Sequence, residues 1–90
     1  MKVQSMLSSN GTAVPNQFVV TNNGSTYFQS YDSIIVVKTE SGSIVLDSKH
    51  WDHSKTTGKY RNIFLGETKK ETEKKIKDGI YKLADLNTVA

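Results

Sequence analysis

Several residue types are scarce or missing in this sequence. It contains no cysteine, which excludes disulfide bonds and thiolate metal sites. The longest uninterrupted apolar run, residues 34–37, is far shorter than the roughly 20 residues of a membrane-spanning helix. No apolar run of signal-peptide length follows the N-terminus. We therefore expect an intracellular protein without membrane association.

The length predicts a single small domain. Its 90 residues bury only about 60–65% of the unfolded surface, so the core should be thin. We expect one domain over residues 1–90, with residues 1–12 and 87–90 as flexible ends. Residues 1–9 fit either a short edge strand or a frayed end. The one proline, Pro15, favours an edge or a loop around it.

Positive charge is concentrated in one part of the chain. The net charge is +3, from 12 Lys and Arg against 9 Asp and Glu. Residues 49–77 hold nine basic and four acidic residues, a balance of +5, so the rest of the chain carries −2. A basic face favours anionic partners, although such a run is also typical of a solvated helix. The predicted binding face consists of Lys55, Lys59, Arg61, Lys70, Lys74 and Lys77.

The first half of the chain has the pattern of an antiparallel meander. Asn23-Gly24 is a hairpin signal, because a type I′ turn needs positive φ at both positions. A two-residue loop there pairs Val19 with Phe28. Residues 34–37 are all apolar, so a strand formed by them would have two apolar faces. This predicts a central strand that is covered on both faces.

Ser41-Gly42 predicts the next turn. A two-residue loop at this place pairs Val37 with Leu46 and Thr39 with Ile44. The predicted core face then comprises Ile35, Val37, Ile44 and Leu46.

After Trp51 the pattern becomes helical. Ser54 or Thr56 can cap a helix, and Gly66 can end it in the left-handed conformation. A strand over residues 60–65 is the competing interpretation, but it mixes polar and apolar residues on both faces. The predicted apolar stripe of the helix is Tyr60, Ile63 and Phe64.

A second helix follows at once. Thr68 and Glu71 have the spacing of a capping box, and Gly79 ends the helix. Ile76, with help from Thr72, is its expected anchor. The expected ion pairs within this helix are Glu71 with Lys75 and Glu73 with Lys77.

The fold class that these patterns predict is α+β. We expect an antiparallel sheet of four to five strands, a meander, followed by two short helices. A final strand over residues 80–86 then adds to the sheet.

No arrangement typical of catalysis is present. His50 and His53 could bind a transition metal with Asp47, but their spacing matches no common closed site, so we favour surface histidines and expect no metal. The sequence has no nucleophile elbow, P-loop or dinucleotide fingerprint. We therefore expect no enzymatic activity and no cofactor.

Aromatic residues offer a second binding hypothesis. Tyr27 and Tyr31 could stack on the bases of a single-stranded nucleic acid, although such residues more often pack across strands. Trp51 is expected to fill the junction of sheet and helix. A helix-turn-helix is not favoured, because Thr72 and Lys75 stand where its second helix needs apolar residues.

Residues 27–87 contain a motif that suggests a relationship. The longest part, WDHSKTTGKYRNIFLG, is followed by ETKKETEKKI and DGIYKLADLN. In this pattern the chain resembles a family of small phage-encoded proteins of uncharacterised function, with His53 where that family usually has tyrosine. The resemblance implies expression in the cytoplasm of a host bacterium.

These observations lead to three functional hypotheses. The first is a small phage accessory protein that binds a host protein or ribonucleoprotein, for instance to inhibit a defence system such as a CRISPR nuclease. The second is a nucleic-acid-binding protein that uses the basic face of residues 49–77. The third is a structural or assembly protein that associates through a sheet edge. The sequence leaves the oligomeric state open.

Overall fold

The fold is α+β, with two helices packed on one face of a six-stranded sheet. The computed structural model describes residues 1–87. The strands are β1 (Lys2–Leu7), β2 (Ala13–Asn22), β3 (Ser25–Ser30), β4 (Ser33–Lys38), β5 (Ile44–Asp47) and β6 (Lys82–Ala84). The helices are α1 (Lys55–Leu65) and α2 (Lys69–Lys77), and the strand order is β1-β2-β3-β4-β5-β6. Of the two interpretations of the N-terminal residues, the edge strand is the one observed.

The β2–β3 hairpin confirms the predicted turn and register. Asn23 and Gly24 have φ values of 52° and 84°, as a type I′ turn requires. Val19 pairs with Phe28 as expected. Local turn chemistry was sufficient here because two residues fix the whole ladder.

Pro15 lies in the first part of β2, before the ladder with β3 begins at Gln17, so the strand is locally at an edge as the proline indicates. The β1–β2 ladder is irregular at this point: Ser5 pairs with Phe18, whereas Leu7 pairs with Ala13. Asn16 has a φ of 64° within the irregular segment. A proline is tolerated because a bulge does not need its missing N–H.

The predicted β4–β5 register was wrong by one residue. Lys38 pairs with Ile44 and Val36 with Leu46, so the loop has five residues and not two. Thr39 and Ser43 close this loop by hydrogen bonds between their backbones and through the Thr39 hydroxyl. The slip moves Val36 to the core face and Val37 to the opposite face.

A bulge in β4 completes the core. Phe28 pairs with Val36 and Gln29 with Ile34, so Ile35 is the extra residue. Ile35 and Val36 are therefore both buried in the core, although consecutive strand residues normally alternate. The predicted core residues Ile35, Ile44 and Leu46 are confirmed, and Val37 is replaced by Val36.

Helix α1 begins and ends where the sequence indicates. The Ser54 side chain accepts a hydrogen bond from the Thr57 N–H, and Gly66 has a φ of 69°. The predicted stripe is correct for Tyr60 and Phe64 but wrong for Ile63, which is 54% exposed. The side facing the sheet includes two polar residues at helical spacing, Thr57 and Arg61.

Helix α2 has the predicted capping box between Thr68 and Glu71. Thr72 is buried, and Ile76 packs against the core. The two ion pairs expected within the helix are not those observed. Lys75 contacts Glu67 at 2.7 Å, and Lys74 contacts Asp78 at 3.0 Å.

Strand β6 confirms the predicted final strand and is parallel to β5. Parallel pairing follows because the chain returns to the sheet through both helices, as a crossover. Beyond β6, the Asn87 side chain exchanges two hydrogen bonds with the backbone of Ile34. The rest of the predicted flexible segment 87–90 lies outside the described residues.

Gly58, inside α1, and Gly66, the C-cap of α1, should respond to alanine in opposite directions. A Cβ at Gly58 would meet its nearest atoms, on Arg61 and Asp52, at 3.7–3.8 Å, which is ordinary contact. We expect Gly58→Ala to stabilise the protein by about 0.5–1 kcal/mol, because glycine is the poorer helix former. Gly66→Ala should destabilise it by about 1–2 kcal/mol, since φ there is positive. Chemical denaturation of both variants measures the difference, and a loss of stability in Gly58→Ala would contradict the helix packing described above.

Candidate functional site

The helical layer carries a surface of exposed lysines. We call this set the lysine surface; it consists of Lys55, Lys59, Lys69, Lys70, Lys74 and Lys77. Five of the six were predicted from the sequence. Lys70, Lys74 and Lys77 recur at i, i+4 and i+7, opposite the buried Thr72, so they form the outer stripe of α2.

An open cleft of about 780 Å³ joins the lysines of the two helices. Lys55, Lys59 and Asn62 contribute to it from α1, and Lys69 contributes from the start of α2. Asp52, in the loop before α1, also lines it. Sequence reasoning did not include Lys69, because only the packing of α2 against the preceding loop brings it beside α1.

Arg61 is not part of the exposed face on which the sequence placed it. Its side chain is 1% exposed, and its guanidinium lies over the Trp51 ring, 5.2 Å from the centroid. It donates hydrogen bonds to the Trp51 carbonyl at 2.6 Å and to Asn62 Oδ1 at 2.9 Å. Trp51 packs against the core as predicted, so Arg61 joins the loop before α1 to the helix layer.

Asp52 connects Arg61 to the lysine surface. Its carboxylate contacts Arg61 Nη1 at 3.3 Å and Lys69 Nζ at 2.7 Å. Burial opposes ionisation of Asp52, but the hydrogen bonds and charges of Lys69 and Arg61 outweigh it and lower the pKa of Asp52. The same contact raises the pKa of Lys69. Asp52, which itself lines the cleft, thus neutralises part of the positive charge there.

Most carboxylates of the helical layer are already engaged. Glu71 caps α2, Asp78 pairs with Lys74, and Glu67 contacts Lys75 and the Tyr81 hydroxyl. Burial opposes ionisation of Glu67, but its hydrogen bonds from Lys75, Thr72 and Tyr81 lower its pKa. In contrast, within residues 1–87 no carboxylate forms an ion pair with the four remaining lysines of the surface. These are Lys55, Lys59, Lys70 and Lys77.

The predicted aromatic contacts are not brought together with the cleft. Tyr27 pairs with Val37 on the sheet face that points away from the helices. Tyr31 is 54% exposed at the β3–β4 turn, with a φ of 55°. Neither lines the cleft.

One of the two histidines, His50, belongs to a structural hydrogen-bond network, and the other, His53, lies beside it. His50 Nδ1 lies 2.6 Å from Asp47 Oδ2, and the His50 and His53 rings are 5.5 Å apart. Asp47 is buried and also accepts hydrogen bonds from the backbone N–H groups of His50 and Leu86. Among the described residues, no group of three or more His, Cys, Asp or Glu is arranged to hold a metal ion. No helix of residues 1–87 is long and apolar enough to cross a membrane.

Comparison with known proteins identifies a family for nearly the whole chain. The profile of DUF8033, described as a family of unknown function, matches residues 1–79. The match includes β1 to β5, both helices and the complete lysine surface. No curated protein and no solved structure matches the chain. The chain therefore belongs to DUF8033, a family of unknown function.

Proposed function

We propose that this protein binds nucleic acid through the lysine surface, by contacts to backbone phosphates. One observation carries the proposal: four exposed lysines on the helical layer have no carboxylate partner within residues 1–87, and the nearby carboxylates other than Glu73 are engaged elsewhere. A solvated helix face normally carries charges of both signs, which pair with one another along its length. A surface whose positive charges lack carboxylate partners instead attracts a polyanion. Binding is then favoured by the release of counterions from the polyanion.

The chemistry of the surface favours binding that does not depend on sequence. Lysine is a flexible point charge, and the one arginine, which could form bidentate contacts, is buried beneath the cleft. Base stacking needs aromatic side chains beside the charges, and Tyr27 and Tyr31 lie elsewhere. Phosphate contacts position a protein on a duplex without reading bases. Duplex DNA or RNA is thus the favoured ligand.

A second candidate is the role of a phage accessory protein in the host bacterial cytoplasm. The motif in residues 51–66 supports it, through the resemblance to phage-encoded proteins. A target of this kind would be a host ribonucleoprotein such as a CRISPR nuclease, whose guide RNA offers the phosphates that the lysine surface would contact. A basic inhibitor cannot imitate DNA, so the alternative contact is an acidic protein surface.

Binding should weaken steeply with salt, and removal of three lysines should flatten that dependence. In Lys55→Gln/Lys59→Gln/Lys70→Gln, we expect the slope of log affinity against log salt to fall by roughly 2 to 3, because each neutralised phosphate contributes about 0.9. Fluorescence anisotropy with a labelled duplex, titrated over a range of salt concentrations, measures the slope.

The matched control removes the same charge from the sheet. Lys2→Gln/Lys38→Gln/Lys82→Gln replaces three exposed lysines that lie outside the helical layer. This control should keep most of the wild-type slope. Equal slopes in the two triple variants would show that only net charge matters and would reject the lysine surface. Absence of binding at low salt would reject nucleic-acid binding altogether and leave the protein or ribonucleoprotein partner.

A further inference from the structure

The side of the sheet opposite the helices carries an apolar row of its own. Each residue of this row pairs with the next across adjacent strands, so the row crosses five strands in succession. We call it the open-face stripe; it consists of Val3, Val20, Tyr27, Val37 and Val45. Phe18 and Ile34 lie on the same face, two or three residues further along their strands.

The neighbouring row shows which face the helices cover. Val19, Phe28, Val36 and Leu46 pair in the same way, one residue away, and contribute to the core with Tyr60 of α1. Successive strand residues point to opposite faces. No member of the open-face stripe belongs to that core, and Ile76 brings α2 to the core side as well. Within residues 1–87, both helices therefore lie on one face. On the opposite face, Val3 is 55% exposed at the edge of the sheet, whereas Val37 inside the stripe is 8% exposed.

This arrangement is unusual for an antiparallel sheet with one solvated face. Such a sheet normally alternates apolar residues toward the core with polar residues toward water. Here β4 reads Ile34, Ile35, Val36 and Val37, and its partner strands also place apolar residues on the open side. Apolar rows on both faces are typical of a sheet that is covered on both faces.

We infer that a second copy of this chain covers the open-face stripe, forming a dimer of two sheets packed face to face. No residue of the stripe is charged. The row continues from Val45 to its partner Lys82 on β6, and Lys82 is the first charged residue in it. Two copies can therefore approach without like charges meeting at the centre. The excess positive charge of each chain lies on the helical layer, on the far side of the sheet. This inference does not depend on nucleic-acid binding.

The size of the face suits a stable dimer. The Cα extents are 35, 30 and 23 Å, and the two-layer architecture makes the shortest the direction through sheet and helices. An ellipse with the two longer extents as its axes has an area of about 800 Å², so a standard interface, which buries about that area on each partner, would occupy this whole face and not the stripe alone. Sheets pack face to face about 10 Å apart with strands within about 30°. A two-fold axis through the stripe would place Tyr27 of both copies near the centre.

Light scattering coupled to size-exclusion chromatography tests the inference on the full chain. The chain has a mass of 10.0 kDa, and we expect a particle of twice that mass at micromolar concentration. A wild-type chain that stays monomeric up to millimolar concentration would overturn the inference. Capture of a different protein by such a monomer would replace the second copy as occupant of the stripe.

Three lysine substitutions distinguish the stripe from any other apolar surface. Val3→Lys and the matched control Ile63→Lys alter residues that are 55% and 54% exposed, one on the stripe and one on α1. We expect Val3→Lys to weaken the dimer at least roughly tenfold, because two like charges would enter the contact, and Ile63→Lys to leave it unchanged. Val20→Lys, nearer the centre, should abolish the dimer, and circular dichroism confirms that each variant is folded. A dimer that survives Val3→Lys but not Ile63→Lys would overturn the assignment to this face.

Discussion

Replacing Arg61 with alanine is expected to lower the free energy of unfolding by about 3–4 kcal/mol. Two losses combine in this estimate. A large side chain that is 1% exposed is removed, which leaves a cavity beneath α1. The Trp51 carbonyl also loses its donor at 2.6 Å, and an unpartnered buried acceptor costs about 1–3 kcal/mol. A domain of this length has a total stability of roughly 5–13 kcal/mol, so the change should be obvious in a urea titration.

Two further variants identify the cause. Arg61→Met fills most of the space without the charge or hydrogen bonds, and we expect a loss of about 1–2 kcal/mol, since apolar replacement of a buried charge is often well tolerated. Lys55→Ala removes an exposed basic residue from the same helix and should change stability by less than about 0.5 kcal/mol. The sequence placed Lys55 and Arg61 together on one basic face. Equal effects of the two alanine substitutions would contradict the burial of Arg61.

Replacing Asp47 with asparagine should destabilise the protein by about 2–3 kcal/mol at neutral pH. The Asp47 carboxylate accepts hydrogen bonds from Leu86 N–H at 2.8 Å, from His50 N–H at 2.8 Å and from the His50 ring at 2.6 Å. It thereby joins the end of β5, the turn before α1 and the segment after β6. An amide has only one acceptor oxygen, so Asp47→Asn must leave part of this network unmade. Thermal and chemical unfolding at neutral pH measure the loss.

The pH dependence gives a second, independent test of Asp47. Burial opposes ionisation, but the hydrogen bonds from Leu86 and His50 outweigh it and hold the pKa of Asp47 below its usual value. A carboxyl whose pKa is lower in the folded state stabilises the fold at pH values above its unfolded pKa, and this contribution disappears as the pH falls through the folded pKa. The stability difference between wild type and Asp47→Asn should therefore be greatest above about pH 5 and shrink at lower pH.

A matched control is available in the exposed Asp32, in the turn between β3 and β4. Asp32→Asn should change stability by less than about 0.5 kcal/mol at any pH. Asp47→Asn should keep some acid sensitivity of its own, because the pKa values of Asp52 and Glu67 are also lowered in the folded protein. A difference between wild type and Asp47→Asn that grows on acidification would contradict the role given to this carboxylate.

The two proposed surfaces are compatible with each other. The lysine surface lies on the helical layer, and the open-face stripe lies on the opposite side of the sheet. A dimer through the stripe would present two lysine surfaces on its outer sides. Such an arrangement would raise the apparent affinity for a long duplex if both surfaces contact one molecule. The triple lysine variant and the stripe variants change different faces, so their effects can be measured separately.

The sequence alone determined the features that depend on a few adjacent residues. Asn23-Gly24 fixed the β2–β3 register, because a two-residue turn with positive φ leaves a single pairing. Ser54, Gly66, Thr68 and Glu71 fixed the ends of the helices, since capping satisfies backbone groups within one turn. The α+β class followed from the same local signals, read in order along the chain.

Only the tertiary structure decided the features that depend on distant partners. The β4–β5 loop has five residues, closed in part by a hydrogen bond from Ser43 N–H to the Thr39 hydroxyl, and this register places Val36 and not Val37 on the core face. The burial of Arg61 depends on Trp51, Asp52 and Asn62, which accept hydrogen bonds from its two terminal nitrogens but not from Nε. No local sequence pattern indicates these partners. The unpaired lysines and the open-face stripe likewise depend on contacts between distant parts of the chain. Charge pairing and the covering of a sheet face are set by which elements pack together, and the order of residues along the chain does not specify this.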